Sequence, residues 1–480
     1  MGGEFELLEP LIQRIQYFLA GKEAARTTVL SKSWRSAWLT RPNLDFDETN
    51  FKISWWGSDE FVEFTNTTIR RYEESGIRIE SFKLCLEHEY RPRVDHANEL
   101  ILRALKIGAT HLSFQLNRKF VLPHEVFGAE NLVELSMQRC KVDLGPMDRK
   151  VIRCSRLKSL CLDYVDIETD VISNLISNCP IIEKLSLSRV GSVGELVPIN
   201  LHRLTCLELY RVEFNTLFLA DLSSKFPSLM DLTLHYYTFF QEEVRISSCS
   251  LVRLDFRHEF DVGRDIKSRI IFDVPSIRKF TFEGRTIPSL SFRSTSRGQW
   301  ESHISITRFH GPTAFWFRKL NKFLTKLRQS KIHLSLNVRS PKSFDYAPEG
   351  LTKKQGVENL TIDYSGLPSL TCYAHFDGVF RICRPKCITQ YLVPKASYDR
   401  RKRNNDFLCK IFIRGMDGEF LSTPINFMNG LHDLEEVNAQ LYDEVVAAWR
   451  PMPLELLLDA SKSPANTQTI RFQMKWKTID

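Results

Sequence analysis

The chain has 480 residues, 43% of them hydrophobic and 26% charged, and its mean hydropathy is −0.24. These values are typical of folded domains, so they exclude a disordered chain, a collagen and a small disulfide-bonded scaffold. The net charge of +8, from 66 basic and 58 acidic residues, is small for this length and does not by itself predict a nucleic-acid partner. Length alone predicts about three compact domains.

The N-terminal segment and the cysteines indicate an intracellular protein. The chain begins with Met1-Gly2-Gly3-Glu4 and has no basic stretch followed by an apolar one, so we expect no signal peptide. No apolar run approaches the roughly 18 residues of a membrane span. The eleven cysteines form no CxxC motif, and we expect reduced thiols, no bound metal and no cofactor. The expected location is the cytoplasm, the nucleus or both.

The first forty residues predict two short amphipathic helices. The first helix begins near Pro10 and ends at Gly21, and its apolar stripe consists of Leu11, Ile15, Phe18 and Leu19. Residues 22–38 predict a second helix, with large apolar side chains at four-residue steps at Leu30, Trp34 and Trp38. Two helices of this size cannot bury so much apolar surface between them, so another surface must cover part of it.

Both helices lie in the stretch LLEPLIQRIQYFLAGKEAARTTVLSKSWRSAW, residues 7–38. This stretch resembles the F-box of plant F-box/leucine-rich-repeat proteins, including those with an FBD-type tail. The family usually has Leu-Pro at the start of the motif, whereas here Leu8 stands in the place of Pro. The matching positions are Leu7, Pro10, Leu11, Ile15, Leu19, Lys22, Ala24, Ala25, Val29, Leu30, Ser31, Trp34 and Trp38.

The F-box of this family binds a Skp-type adaptor, which connects it to a cullin–RING ubiquitin ligase. The resemblance therefore implies a substrate-recognition subunit of a Skp–cullin–F-box ubiquitin ligase that is not itself an enzyme. The adaptor-binding residues that it implies are Leu7, Pro10, Leu11, Ile15, Leu19, Val29, Leu30 and Trp34. The alternative is a repeat scaffold that binds a protein partner without recruiting a ligase.

A pattern of the form LxxLxL recurs with a mean spacing of about 24 residues, which is typical of leucine-rich repeats. Seven copies in phase begin at Leu132, Leu157, Ile182, Leu204, Leu229, Leu251 and Ile277. Weaker copies begin at Ile79, Ala109, Ile332 and Val357. In each copy the LxL segment predicts a short strand with two inward side chains, and stacked copies form one continuous core.

We expect the connecting segments of the repeats to be loops and short helices, such as a helix over 169–179. The predicted fold is a short all-helical F-box followed by a curved leucine-rich-repeat solenoid of α/β character with parallel strands. The predicted divisions are an F-box (1–46), a linker or first cap (47–75), the leucine-rich repeats (76–365), and C-terminal repeats with a capping region (366–480).

Partner recognition in such a stack belongs to the outward residues of the strands, although solvated polar surface is the simpler interpretation of any single one. The central outward row consists of Ser136, Cys161, Ser186, Glu208, Thr233, Asp255 and Thr281. The next row consists of Gln138, Asp163, Ser188, Tyr210, His235, Arg257 and Glu283. Tyr and Arg are enriched in interface hot spots. The predicted partner-binding residues are Glu208, Tyr210, Thr233, His235, Asp255 and Arg257.

Two basic segments have more than one interpretation. Residues 313–328 predict a basic amphipathic helix, which is either the outer helix of a repeat or a segment for a membrane surface or a partner groove. Residues 400–403, Arg-Arg-Lys-Arg, are either a nuclear-import signal or a solvated loop. No aromatic residues are interleaved there, which disfavours nucleic-acid binding.

The last part of the chain predicts strands over 379–383, 408–413 and 470–476 and helices over 431–449 and 454–460. We expect this region to cover the end of the repeat stack. The sequence contains no GxGxxG, GxxxxGK[ST], HExxH or GxSxG motif, so it predicts no catalytic residues.

Overall fold

The structure is a computed structural model, and the residues that it describes are 7–19, 21–51, 60–86, 91–116, 120–145, 152–191, 201–212, 216–235, 243–258, 269–296, 299–310, 313–339, 354–363, 369–390, 408, 411–412, 429–443, 446–454, 456 and 470–477. The chain divides into two compact units, Met1–Thr233 and Leu234–Asp480. No helix in these ranges is long and apolar enough to cross a lipid bilayer.

The first unit contains helices and short strands that alternate along the chain. Its helices are α1 (Glu9–Tyr17), α2 (Gly21–Arg26), α3 (Lys32–Thr40), α4 (Glu60–Ser75), α5 (Arg91–Ile107), α6 (Thr169–Ser177) and α7 (Leu222–Lys225). Its strands are β1 (Asn43–Asp47), β2 (Ser81–Cys85), β3 (His111–Gln115), β4 (Glu134–Gln138), β5 (Ser159–Asp163), β6 (Lys184–Ser188) and β7 (Cys206–Tyr210). The division between the units falls within β8 (Asp231–His235).

Strands β1 to β7 form a parallel ladder in which each strand pairs with the next one in the chain. The register places equivalent apolar positions opposite one another, so that Leu160 lies between Leu135 and Leu185. These three side chains are buried, and the residues between the apolar positions face outward. The strands lie where the LxxLxL repeats predict them, and α6 lies where a helix was expected over 169–179. The architecture is that of an α/β leucine-rich-repeat fold.

The prediction of one continuous helix over 22–38 is wrong. After α2, a 3-10 turn occupies Thr27–Val29, and α3 begins only after Ser31. The backbone of Ser31 is extended (φ −163°, ψ 174°), and its Oγ accepts a hydrogen bond of 3.3 Å from the backbone N–H of Trp34. A serine in this conformation is an N-cap, which starts a new helix rather than continuing the preceding one.

The second unit contains mainly strands. They are β9 (Glu243–Ser247), β10 (Arg253–His258), β11 (Arg269–Asp273), β12 (Lys279–Gly284), β13 (Ser289–Ser294), β14 (Trp300–His310), β15 (Ser330–Arg339), β16 (Gln355–Asp363), β17 (Cys383–Gln390), β18 (Leu434–Asp443), β19 (Ala448–Met452) and β20 (Ile470–Trp476). Its helices are α8 (Ala314–Lys326) and α9 (Ser369–Ile382).

The second unit has two parallel sheets where the sequence predicted one. Strands β10, β12, β14, β15, β16 and β17 continue the repeat pattern, each paired with the next. The connecting segments form a second sheet in which β11 pairs with β9 and with β13. The rings of Phe272, Phe280 and Phe292 pack between the two sheets, with centroids 5.0 to 5.5 Å apart. The expectation of loops and short helices in these connections is therefore wrong.

Helix α8 is the predicted basic amphipathic helix of residues 313–328. Thr313 caps its start by accepting a hydrogen bond from the backbone N–H of Trp316. Its apolar side chains are buried at Phe317, Leu320, Phe323 and Leu324, and Phe323 contacts the ring of Phe282 on β12. Because this face is covered, the structure favours the outer helix of a repeat. The basic run at 400–403 lies outside the described residues.

The end of the second unit departs from the predicted pattern. The helix expected over 431–449 is instead an antiparallel hairpin of β18 and β19, because Val437, Ala439 and Leu441 are buried at every second position. The strand expected over 379–383 is mostly the end of α9. Apart from Arg381, this segment consists of buried apolar residues, and such a run resembles a strand in sequence. The predicted strand over 470–476 is confirmed as β20, which pairs antiparallel with β18 and β17.

Buried acidic residues hold this last part of the chain in place. Asp433, only 3% exposed, forms ion pairs with Lys354 (2.8 Å) and Arg384. Asp377 accepts a hydrogen bond of 2.7 Å from the backbone N–H of Gly430 and pairs with Arg381. Removal of the partners of either carboxylate would leave a charge buried without compensation, which is strongly destabilising. Leu408, Ile411 and Phe412, in the segment predicted as a strand over 408–413, are helical.

The phenylalanine layer makes a prediction about stability. Phe280→Ala removes a fully buried ring and should lower the free energy of unfolding by about 3–5 kcal/mol. Thr281→Ala, on the outward face of the same strand, should change it by less than about 0.5 kcal/mol. Urea unfolding followed by circular dichroism measures both changes. Equal losses in the two variants would contradict the inward placement of Phe280.

Two buried histidines predict a dependence of stability on pH. Burial lowers the pKa of His258 and of His375 to about 3, whereas an unfolded chain has a histidine pKa of about 6.5. Between pH 6.5 and 3 the unfolded chain therefore binds protons that the folded chain does not. Stability is full above pH 6.5 and falls as the pH is lowered, by up to about 1.4 kcal/mol per pH unit for each histidine.

His258→Gln should reduce this loss of stability between pH 7 and pH 4.5, as measured by urea unfolding at each pH. The control is His124→Gln, because the His124 side chain is 50% exposed. This control should follow the curve of the unmodified protein. A curve for His258→Gln parallel to that of the unmodified protein would show that this histidine is not buried in its neutral form.

Candidate functional site

The three N-terminal helices pack through small and polar side chains. The residues that they bury are Ile12, Gln16, Ala24 and Ala37. The Gln16 amide donates hydrogen bonds to Thr27 Oγ1 (2.9 Å) and to the Trp34 carbonyl (3.1 Å), which joins α1 to the 3-10 turn and to α3. The interior of this helical group therefore uses few of its large apolar residues.

The large apolar side chains of these helices lie on the outside. Seven of them are between 42% and 86% exposed, and we call them the N-terminal apolar surface: Leu7, Leu8, Leu11, Ile15, Phe18, Val29 and Leu30. The elements that carry these residues pack together: α1 packs on α3, and the turn Thr27–Val29 packs on both α2 and α3. Of the other predicted adaptor-binding residues, Pro10 is exposed, and Leu19 and Trp34 are partly buried. A concentration of exposed apolar side chains is characteristic of a docking surface.

A buried arginine connects the helical group to the rest of the first unit. The Arg41 guanidinium lies 3.3 Å from the centroid of the Trp38 ring, and the Tyr72 hydroxyl donates a hydrogen bond of 2.8 Å to the Arg41 carbonyl. Burial lowers the pKa of Arg41 to about 10, so the guanidinium stays charged at neutral pH. Tyr72 lies on α4, and it therefore holds the end of α3 in place.

Two predicted partner-binding residues lie on β7 in the first unit. Glu208 pairs with Lys184 of β6 at 3.1 Å. Burial alone would raise the pKa of the Glu208 carboxyl, but hydrogen bonds from Ser186 and Lys184 outweigh it and lower that pKa. The Tyr210 hydroxyl accepts a hydrogen bond of 3.2 Å from Arg189.

Arg189 belongs to a row that sequence reasoning missed. In four successive repeats the residue that follows the strand has a left-handed backbone, and we call this row the strand-exit ladder: Arg139 (φ 56°), Tyr164 (φ 53°), Arg189 (φ 49°) and Arg211 (φ 50°). The left-handed conformation costs a residue with a side chain about 1–2 kcal/mol, whereas Gly adopts it without this cost. Four such residues in sequence, none of them Gly, suggest that their side chains have a function. The signal was available, because each lies seven residues after the first Leu or Ile of its repeat.

The guanidinium of Arg189 is held between two aromatic rings. It lies 4.2 Å from the centroid of Tyr164 and 4.8 Å from that of Tyr210. Cation–π contacts of this kind fix the orientation of an arginine while its charge remains available. The buried Nε of Arg189 has no hydrogen-bond partner among the described residues. The pre-oriented cation can therefore receive an anionic group.

The predicted residues of the second unit form an ion-pair group. Asp255 lies between His235 (Nε2 to Oδ1, 3.4 Å) and Arg257 (3.3 Å), and Arg257 also pairs with Glu283 of β12 at 3.2 Å. Burial would raise the pKa of Asp255, but the hydrogen bonds from His235 and Arg257 outweigh it and lower that pKa. The structure thus brings His235, Asp255 and Arg257 together. Thr233, also predicted, is the last residue of the first unit.

A third group of outward residues was not predicted. Glu301 and His303 on β14 lie beside His333 on β15, and one potential ligand atom of each lies within 4.8 Å of the others. The two imidazole rings are parallel, with centroids 4.6 Å apart and an interplanar angle of 5°. The prediction of no metal site rested on ligand spacing in the sequence, and His303 and His333 are 30 residues apart in the chain.

Three of the buried cysteines are unsuited to act as nucleophiles. Burial raises the pKa of Cys140, Cys179 and Cys383 to about 12, so these thiols stay protonated at neutral pH. Nine cysteines whose side chains the structure describes are free thiols, and five of them are buried.

Comparison with known proteins relates this chain to a family of plant proteins. Residues 99–221 match the family model for the leucine-rich repeats of FBD-associated F-box protein At5g56370. Arabidopsis thaliana F-box/LRR-repeat protein At3g59200 is 31% identical over 193 residues, which are 38% of this chain and 36% of that protein.

Two further Arabidopsis thaliana proteins have similar names. The F-box/LRR-repeat protein At3g42770 is 31% identical over 343 residues, 67% of this chain and 61% of its own length. FBD-associated F-box protein At5g22730 is 30% identical over 215 residues, 44% of each chain. The matches span less than two thirds of the length of these relatives.

Proposed function

The chain belongs to the plant F-box/leucine-rich-repeat family, and from that premise we propose that it is the substrate-recognition subunit of a Skp–cullin–F-box ubiquitin ligase. Residues 1–46 act as the F-box that binds a Skp-type adaptor, and the repeats bind the target protein. The chain carries no ligase chemistry itself. It holds the target close to the subunits that transfer ubiquitin, so its contribution is proximity and orientation.

The N-terminal apolar surface is the observation that carries this proposal. Six of the eight predicted adaptor-binding residues are exposed, although apolar side chains are stable in contact with a partner rather than with water. The polar interior around Gln16 allows the helices to keep their packing while the apolar side chains remain outside. Leu8 replaces the Pro of the family motif, and as an exposed apolar residue it adds to the docking area.

The target binds the outward residues of the repeats. Glu208, Tyr210, Thr233, His235, Asp255 and Arg257 remain the predicted contacts. We add the strand-exit ladder, whose oriented Arg189 fits an acidic segment of the target.

The other predicted divisions are a linker or first cap over 47–75, repeats over 76–365 and a capping region over 366–480. The expected location is the cytoplasm, the nucleus or both.

A repeat scaffold that does not recruit a ligase is the competing proposal. In this proposal the repeats also bind a protein partner. The exposed apolar residues of the first helices, however, bind no Skp-type adaptor. Capture of an adaptor and a cullin by the intact chain therefore separates the two proposals.

Leu30→Asp should abolish adaptor binding, because it places a charge on a side chain that docking buries. We expect the amount of co-purified adaptor and cullin to fall by at least about 30-fold, which corresponds to the roughly 2 kcal/mol of an interface hot spot. The measurement is quantitative co-purification from plant cells with the proteasome inhibited. Circular dichroism should show that the variant is folded.

Leu217→Asp is the matched control, because Leu217 is 69% exposed, similar to the 63% of Leu30, and lies outside the N-terminal helices. This control should retain the adaptor and the cullin. If the unmodified chain captures neither of them, the ligase proposal fails and the scaffold remains.

Arg189→Glu should remove target binding without changing adaptor binding. The substitution replaces the oriented cation with an anion, which repels an acidic target segment. The measurement uses Leu30→Asp as background, so that captured targets are not degraded, and compares captured proteins by quantitative mass spectrometry. We expect the target proteins to be depleted by more than about tenfold.

The control for this second experiment is Arg153→Glu in the same background. Arg153 is an exposed arginine of the first unit that lies outside the strand-exit ladder, and it pairs with Glu130 at 3.4 Å. Targets should be retained by this control. Equal capture by the Arg189→Glu and Arg153→Glu chains would place the target contact elsewhere on the repeats.

A further inference from the structure

The outward face of the second unit brings two histidines and a carboxylate together. Strands β14 and β15 are parallel and in register, and this register places His303 directly opposite His333. Glu301 lies two residues before His303, so its side chain is on the same face of the sheet. Its Oε2 is 3.5 Å from Nε2 of His303.

One nitrogen of this arrangement, Nε2 of His303, lacks a hydrogen-bond partner among the described residues. Nε2 of His303 is buried, and the 3.5 Å to Glu301 is too long for a strong hydrogen bond. An imidazole nitrogen with a lone pair is the group that coordinates a metal ion.

We propose that Glu301, His303 and His333 form a binding site for a transition-metal ion of the Zn²⁺ type. Two imidazoles and one carboxylate are the protein ligands of many zinc sites that keep a fourth position open. Nitrogen ligands select Zn²⁺, Ni²⁺ and Cu²⁺ over Mg²⁺ and Ca²⁺, which prefer oxygen.

The geometry requires only side-chain movement. Ligand atoms now within 4.8 Å of one another must approach to about 3.4 Å, which is the separation that metal–nitrogen bonds of about 2.1 Å give in a tetrahedral site. Rotation of the exposed Glu301 and of the two partly buried imidazoles supplies this change without moving the strands. The fourth position faces outward and is filled by water or by a side chain of a docked protein.

Two lysines moderate the affinity of the site. Lys279 of β12 and Lys331 of β15 are the residues opposite Glu301 in the register of the sheet. Their charge balances the carboxylate and disfavours a cation, so the two histidines provide most of the binding. Loss of either imidazole should then weaken binding more than loss of the carboxylate.

The test is calorimetric titration of the full-length protein with Zn²⁺, together with visible absorption of the Co²⁺-substituted protein. The unmodified protein should bind one ion at this site, with a Co²⁺ spectrum of a nitrogen-containing tetrahedral site that excess Mg²⁺ does not change. His333→Ala and His303→Ala should weaken binding beyond the roughly 10- to 100-fold that loss of an outer partner costs. His333→Asn provides a second variant if His333→Ala does not fold.

The matched control is His235→Ala, because His235 also lies beside a carboxylate, at 3.4 Å from Asp255, on an outward strand face of the same unit. This control should retain the affinity and the Co²⁺ spectrum. The proposal is overturned if the unmodified protein does not bind Zn²⁺, or if removal of both histidines leaves the affinity unchanged. Capture of the adaptor is independent of these substitutions, so this result does not affect the ligase proposal.

Discussion

The register between neighbouring parallel strands is the constraint on which both units depend. Within a repeat, apolar side chains at alternate positions point inward, and a shift of one residue would expose all of them. Leu160 can be buried only because Leu135 and Leu185 lie opposite it. The same register aligns the outward residues into rows, although no inward packing depends on them. The core therefore fixes where each outward side chain lies, while the identity of that side chain is free to serve recognition.

The sequence predicted the structure best in the repeats whose parallel strands pair in this register. The phase of the LxxLxL repeats predicted the strands and the outward rows, because both follow from period-two alternation. It failed where tertiary packing decides the structure: the largely apolar end of α9 resembles a strand, and the alternation in β18 was mistaken for a helical pattern. The second sheet was missed because the connecting segments are irregular in length. Arg189 was missed because residue type does not reveal a left-handed backbone, and His303 and His333 because only strand pairing brings residues 30 positions apart together.

The two candidate surfaces differ in how they interact with water. The N-terminal apolar surface gains free energy from leaving water, so its partner can be the same in every complex. The repeats instead present polar groups that already have partners, such as Glu208 with Lys184 and Asp255 with Arg257. A target that binds there must replace these contacts with equivalent ones. An incorrect partner leaves the polar groups unpaired, and this weakens its binding more than the new contacts strengthen the binding of the correct target. In the proposed function, affinity for the adaptor and selectivity for the target therefore arise from different physical terms.

The antiparallel hairpin at the end of the second unit has a consequence for self-association. An open parallel stack presents a strand edge to which another copy could add, and repeat proteins must prevent this. Here β20 and β18 reverse the strand direction, so the template for one more parallel repeat is absent at that end. The hairpin strand β19 carries exposed Arg450 and Pro451, a charge and a residue without an N–H group. Addition of a further parallel strand at this edge is therefore disfavoured, and so are end-to-end fibres that would form through it.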